Sequence, residues 1–144
     1  MKNILKLSLA VLSLISIVSC SDDEMDTQKP TVQILTPTNH QEIEPGAVIN
    51  LKAVLTDNEG LASYKIEIHS GEDGHEHKAK SQDFSYSVVK QVTGNAKTFD
   101  VIETIKVPED AKEEHYHLGI TVLDVNGNQN QQFVEIFIGH EHEH

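Results

Sequence analysis

From Pro30 onward the chain consists of short segments in which apolar and polar residues alternate with a period of two. Glycine, asparagine, aspartate and proline separate these segments, which are rich in the valine, isoleucine and threonine that suit a pleated sheet. The pattern predicts no helix of any length, and it predicts seven β-strands, near residues 31–36, 47–56, 61–69, 83–92, 98–107, 115–124 and 132–138. Seven strands at this spacing predict an all-β fold, an immunoglobulin-like antiparallel β-sandwich.

The segment HYHLGITVLD indicates which residues of one strand face the core. Tyr116, Leu118 and Ile120 alternate along it and therefore share one face. Tyr116 stands near the start of the strand and resembles the tyrosine corner of immunoglobulin-like folds. Antibody domains carry a cysteine two residues later, where this chain has Leu118, so a sandwich without a disulfide is expected.

The first nineteen residues carry the pattern of an export signal. A short basic start precedes an apolar run at residues 7–18, which is too short for a membrane span of ~20 residues. The single cysteine, Cys20, follows the letters IVS, and this quartet resembles the bacterial lipobox, whose cysteine is lipidated after cleavage. We therefore expect a signal peptide at 1–19 and a lipid anchor on Cys20; the alternatives are a free thiol or an intermolecular disulfide.

Residues 20–29 are polar and lack apolar periodicity, so we expect a flexible tether that ends at Pro30. Its acidic tract, SDDE, resembles the signal that directs lipoproteins of the Bacteroidota to the outer face of the outer membrane; a solvated linker is the alternative. The remainder suffices for one domain at 30–139 and a tail at 140–144. The expected location is the outer membrane, lipid-anchored and exposed at the cell surface.

The formal net charge of −12 limits the partners. It disfavours nucleic acid, because phosphate binding needs lysine and arginine, whereas an excess of carboxylates suits cations. The sequence contains no nucleophile elbow, no phosphate loop and no carboxylate pair on opposing strands. We therefore expect a protein that is not an enzyme.

The segments LTDNEGLASYKIEIHS and LGITVLDVNGN lie within residues 30–139. They resemble a Bacteroidota lipoprotein family of unknown function, domain of unknown function 4625, an immunoglobulin-like module with histidine-bearing loops. The resemblance implies the sandwich fold and implies no established activity.

Nine histidines outnumber the four phenylalanines and three tyrosines, and the expected fold sends most of them to one end. Because Ile68 faces inward, the next residue, His69, faces outward. Tyr116 faces inward and turns His115 and His117 outward. The two strands are antiparallel neighbours in this sandwich, so we expect these three histidines to lie together, within reach of one ion.

Further histidines belong to the same end, in the loop after the strand at 61–69 and in the HEHEH tail. Imidazole with some carboxylate and no thiolate suits Zn²⁺, Cu²⁺ or Ni²⁺, and zinc is the first choice. The predicted metal ligands are His69, His75, His77, His115, His117, His140, His142 and His144. Ordinary surface placement is the alternative for these residues, and an expression tag is the alternative for the tail. His40, in the turn after the first predicted strand, falls at this end too and is a weak candidate, for which ordinary surface placement is favoured.

Oxygen ligands gather at the opposite end, where the tether joins the domain. The residues concerned stand in the turns after two predicted strands: Asp57, Glu59, Asp124 and Asn126. Such ligands suit Ca²⁺, but the turns themselves favour aspartate, asparagine and glycine for their backbone angles. Both interpretations are open at this point.

These observations favour a surface-anchored lipoprotein that captures or buffers zinc, or hands it to an outer-membrane transporter of the TonB-dependent kind. An adhesion or glycan-binding accessory domain is the alternative, although the chain has no tryptophan and few tyrosines to stack on sugars. A haem-binding lipoprotein is a third interpretation, weakened by the lack of an apolar groove in the histidine-bearing loops. The oligomeric state is left open.

Overall fold

The computed structural model describes residues 25–71 and 83–140, which form a β-sandwich of two sheets. The strands are β1 (Thr31–Thr36), β2 (Gln41–Ile43), β3 (Val48–Thr56), β4 (Leu61–Ser70), β5 (Tyr86–Gln91), β6 (Thr98–Lys106), β7 (Glu114–Asp124) and β8 (Gln129–Ile138). Within the described ranges the helical content is one 3₁₀ turn at Thr93–Asn95. The all-β prediction is confirmed.

One sheet has the strand order β1-β3-β6, and the other has the order β2-β8-β7-β4-β5. β2 runs parallel to β8, and the other pairings of the described strands are antiparallel. Two packed sheets with this order confirm the prediction of an immunoglobulin-like sandwich. β2 was not predicted, because its three residues are too few to show an alternation.

The core lies between the sheets and follows the predicted alternation. Inward side chains of β3, β4 and β7, such as Leu51, Ile66 and Leu118, have no exposed surface. Each such side chain contributes roughly 1.5–3 kcal/mol when it leaves water. The chain has a single cysteine and therefore cannot form an internal disulfide. The apolar contact between the sheets is the main source of stability.

The amino-terminal half of β8 breaks the alternation, and the structure gives the reason. Asn130 donates from Nδ2 to the carbonyl of Pro30 at 2.9 Å, and Gln132 accepts the Ile34 N–H at 3.1 Å. Amide side chains therefore occupy positions that apolar residues take in the other strands. This is why the sequence predicts the strand only from residue 132, whereas it begins at Gln129.

Tyr116 forms the tyrosine corner that the sequence predicts. Its side chain is completely buried, its hydroxyl donates to the carbonyl of Lys112 at 3.1 Å, and the same oxygen accepts the Phe84 N–H at 3.2 Å. A tyrosine bonded to backbone four residues upstream defines this corner. Burial raises the pKa of Tyr116 to about 12.

We expect Tyr116→Phe to lower the free energy of unfolding by about 1–3 kcal/mol at pH 7, because the carbonyl of Lys112 and the amide of Phe84 lose their partner. The folded-state pKa of about 12 lies above the ordinary value of 10.0. The contribution of Tyr116 is therefore complete below pH 10 and is lost as the pH rises through about 12. Urea denaturation of both proteins measures this. A wild-type advantage that stays constant between these pH values would contradict the assignment.

Candidate functional site

Neighbouring strands bring histidines and one glutamate together on the outer face of the five-stranded sheet. His69 of β4 is the register partner of His117 of β7, and His117 is in turn the register partner of Glu135 of β8. His40, which precedes β2, donates its backbone N–H to the Glu135 carbonyl at 2.7 Å. His115 lies two residues before His117 and so shares its face. We call these four histidines and Glu135 the histidine cluster.

The Glu135 carboxylate is the centre of the histidine cluster. Its Oε1 lies 3.2 Å from Nδ1 of His40 and 3.0 Å from Nδ1 of His115, and its Oε2 lies 3.7 Å from Nε2 of His117. The rings of His69 and His117 meet edge to face, with centroids 5.4 Å apart. The structure thus places the three predicted strand histidines on one outer face, as the alternation indicates.

His40 enters the cluster through an unusual turn. Its φ of +61° lies in the left-handed region, which costs a residue with a side chain about 1–2 kcal/mol. The neighbouring Asn39 accepts the Glu135 N–H at 2.8 Å, so both residues of the turn are fixed to β8. The sequence places His40 at this end of the sandwich but favours an ordinary surface position for it. It had no signal for this contact, because the contact depends on the unpredicted pairing of β2 with β8.

Two phenylalanines pack among the histidines on the same face. The Phe133 ring lies 6.2 Å from that of His69, and the Phe137 ring lies 5.0 Å from that of His115, between centroids. Gly119 makes room for Phe133, because a Cβ there would come within 2.2 Å of the phenyl ring. These contacts limit the rotation of the imidazoles.

His140 has acidic partners of its own. Its Nδ1 lies 3.3 Å from Glu42 and its Nε2 lies 2.7 Å from Glu44. The hydrogen bond that His140 donates to Glu42, followed by the charge of Glu44, raises the pKa of His140 above 6.5. The other predicted ligands, His75, His77, His142 and His144, lie outside the described residues, as does Cys20.

Three aspartates meet at the opposite end of the sandwich. One carboxylate oxygen each of Asp26, Asp57 and Asp124 lies within 4.8 Å of the other two. Asp57 and Asp124 are predicted oxygen ligands, whereas Asp26 was not predicted. Glu59 and Asn126, the other two predicted ligands, are hydrogen-bonded to each other, since Asn126 Nδ2 donates to Glu59 Oε2 at 2.9 Å. We call the three residues the aspartate triad.

Asp26, in the segment before β1, is hydrogen-bonded to the folded domain. Its carbonyl accepts a hydrogen bond from Asn128 Nδ2 at 3.0 Å. Asp26, which lies within the segment that the sequence assigns to a flexible tether, is therefore hydrogen-bonded to the turn between β7 and β8. No helix within the described residues is long and apolar enough to cross a membrane.

Two sheets of this order, joined by a tyrosine corner, define an immunoglobulin-like module with a histidine-rich outer face. A family model described as a domain of unknown function (DUF4625) matches residues 18–139. The chain belongs to this family, and the predicted resemblance to domain of unknown function 4625 is confirmed. The comparison with curated proteins gives no match.

The comparison with solved structures finds similarity at low sequence identity. Wild-type OgpA from Akkermansia muciniphila superimposes with a TM-score of 0.50 at 10% identity, over 78% of this chain and 30% of that chain. The chain thus spans less than a third of the length of OgpA. Fibronectin(III)-like modules of CbhA from Clostridium thermocellum give a TM-score of 0.43 at 17% identity, over 75% of this chain and 94% of that chain.

In metal-free protein we expect His140 to titrate above 6.5, and we expect Glu42→Gln to bring its pKa down, because the neutral amide stabilises imidazolium less. A raised pKa in the folded state adds stability below the ordinary value, and this stability is lost as the pH rises through the folded value. Proton NMR of the His140 ring measures the pKa. Asp100→Asn, which removes a charge from β6 in the other sheet, is the control and should leave the titration unchanged. If Glu42→Gln and Asp100→Asn change the pKa of His140 equally, the hydrogen bond to Glu42 is not the cause of the raised pKa.

Proposed function

We propose that the protein is a lipid-anchored immunoglobulin-like module whose histidine cluster binds a divalent transition metal, zinc in the first place. It would hold the metal at the cell surface for capture, for buffering or for transfer to an outer-membrane transporter. One observation carries the proposal: His69 and His117 are register partners on adjacent strands, with ring centroids 5.4 Å apart. A sheet that holds two imidazoles side by side lowers the entropy lost when both bind one ion.

Glu135 completes the chemistry of the proposed site. Histidines that bind metals usually place their other ring nitrogen against a carboxylate, which orients the ring and makes it a stronger ligand. Glu135 Oε1 lies 3.2 Å from Nδ1 of His40 and Oε2 lies 3.7 Å from Nε2 of His117, so the carboxylate is placed to orient these rings when an ion binds. Glu135 itself supplies an oxygen ligand if a ring leaves it.

The cluster is accessible to ions from solvent. The side chains of His115 and His117 are each 40% exposed, and that of Glu135 is 32% exposed. Nitrogen ligands and a carboxylate favour Zn²⁺, Cu²⁺ or Ni²⁺ over Mg²⁺ and Ca²⁺, and copper would bind most tightly on affinity alone. Zinc is proposed first because its tetrahedral site accepts mixed histidine and carboxylate ligands.

Glycan binding is the second candidate, and the exposed ring of Phe133 favours it. Phe133 is 43% exposed and lies on the same face as the cluster. An exposed ring beside hydrogen-bonding imidazoles is a surface on which a sugar can stack. Phe133→Ala separates the two functions, because it would weaken glycan binding and leave the metal ligands in place.

We expect His69→Ala and His117→Ala each to reduce zinc affinity by at least about tenfold, and we expect the double variant to lose less than the sum of the two losses. The losses of affinity caused by substituting two residues that bind the same ion are not additive. Isothermal titration of the metal-free full chain with Zn²⁺ measures the affinities. Thr121→Ala, on the outer face of β7 but outside the cluster, is the matched control and should not change them. Fully additive losses would show that β4 and β7 do not share an ion.

Zinc affinity should fall as the pH drops through about 6. The ligands must be neutral imidazoles, and a free histidine titrates near ~6.5, so protons compete with the metal below that pH. Titrations at pH 7.5 and pH 5 test this expectation. Equal affinity at the two values would indicate that carboxylates alone hold the ion.

A further inference from the structure

The aspartate triad brings three negative charges together where water is largely excluded. Asp57 is 8% exposed and Asp124 is 1% exposed. Because one oxygen of each carboxylate lies within 4.8 Å of the others, the charges repel one another strongly in this environment. Burial of ionised groups is unfavourable unless opposite charge or a metal compensates for it.

Two of the three carboxylates have an oxygen without a partner among the described residues. Asp57 Oδ2 accepts the N–H groups of Glu59 and Gly60, at 2.9 Å and 2.7 Å, while its Oδ1 is buried without a hydrogen bond from any described residue. The two carboxylate oxygens of Asp26 differ in the same way. Its Oδ1 accepts the Gln28 N–H at 3.0 Å, and its Oδ2 is buried and lacks a partner within the described ranges. Buried polar atoms are normally paired, so two unpaired oxygens in one cluster point to a ligand.

The turn that follows β7 holds the Asp124 carboxylate in place by hydrogen bonds. Its Oδ1 accepts the N–H groups of Asn126 and Asn128, at 2.8 Å and 2.7 Å, and its Oδ2 accepts Asn128 Nδ2 at 2.7 Å. Burial raises the pKa of Asp124, but the hydrogen bonds from Asn128 and from the backbone amides of the same turn outweigh burial and hold the pKa below its ordinary value. These hydrogen bonds fix the position of the Asp124 carboxylate and favour its ionised form.

We propose that the aspartate triad binds Ca²⁺ and that the ion clamps the segment at 25–30 onto the end of the sandwich. Two oxygens bound to one calcium at about 2.4 Å lie at most about 4.8 Å apart, and the triad meets this limit. Mg²⁺ requires shorter bonds of about 2.0–2.1 Å in a nearly ideal octahedron. Zn²⁺ favours nitrogen and sulfur ligands, which the triad lacks.

The clamp follows from where the three ligands stand in the chain. Asp26 belongs to the segment before β1, whereas Asp57 follows β3 and Asp124 ends β7. Without an ion, described side chains already tie this segment down, since Asn128 donates both to the carbonyl of Asp26 and to Asp124. A bound ion adds a tie between the same elements that is far stronger than a hydrogen bond. It therefore sets the direction in which the chain leaves the domain toward its amino terminus.

The test uses the full chain, freed of metal by a chelator and then titrated separately with CaCl₂, MgCl₂ and ZnCl₂. Thermal unfolding and amide hydrogen exchange of residues 25–30 are the two readouts. Saturating calcium should raise the Tm by about 5 °C or more and slow exchange in the segment, because the ion binds only the folded state. Magnesium should have a clearly smaller effect on both readouts.

Asp26→Asn and Asp57→Asn should each lower calcium affinity at least about tenfold. Asparagine keeps the side-chain oxygen that accepts the local N–H groups, so these variants remove charge and leave the turns intact. Asp26 lies outside every strand, so its substitution spares the core. The matched control is Asp110→Asn, which removes an exposed charge from the connection between β6 and β7 and should bind calcium like the wild type.

The outcomes separate the two ends of the molecule. If His117→Ala abolishes the response to zinc and Asp57→Asn retains it, zinc binds at the histidine cluster. The calcium site is then judged by the calcium titration alone. Absence of a calcium response in the wild type, or an equal response to magnesium, overturns the calcium site. Calcium binding that Asp57→Asn weakens and Asp26→Asn does not would overturn the clamp.

Discussion

The pairing of β7 with β4 on one side and β8 on the other is the constraint on which the rest of the structure depends. Residues facing inward from β7, among them Leu118 and Ile120, are completely buried. A slip of one residue in either pairing would turn this apolar set toward solvent and bring His115 and His117 into the core. The apolar contact between the sheets therefore positions the histidines as firmly as it positions the core.

The two ends of the sandwich offer different chemistry because they are built from different parts of the fold. The histidine cluster stands on regular strands, where register sets the spacing of side chains. The aspartate triad stands at the end of β7, in the turn after β3 and in the segment before β1. There Asp26 and Asp57 each use one carboxylate oxygen to bind backbone N–H groups and have a second oxygen without a partner among the described residues. Imidazole nitrogens and carboxylate oxygens suit different cations, so the two proposed sites differ in the ion that each would prefer.

Much of the fold could be predicted because its signal is local. Alternation identified seven strands, and the place of Tyr116 in its strand indicated the corner that the hydroxyl bond to Lys112 confirms. The elements that escaped prediction carry no such signal. β2 is three residues long, and the start of β8 places amides where a periodic pattern needs apolar groups.

The sequence by itself determined which side chains face outward, because a period of two is a property of the strand alone. It therefore indicated that His69, His115 and His117 share an outer face, and that oxygen ligands collect in the opposite turns. Only the tertiary structure decided that Glu135 and His40 join the histidines and that Asp26 joins Asp57 and Asp124. Those contacts join residues far apart in the chain, and their pairing depends on the packing of all the strands together.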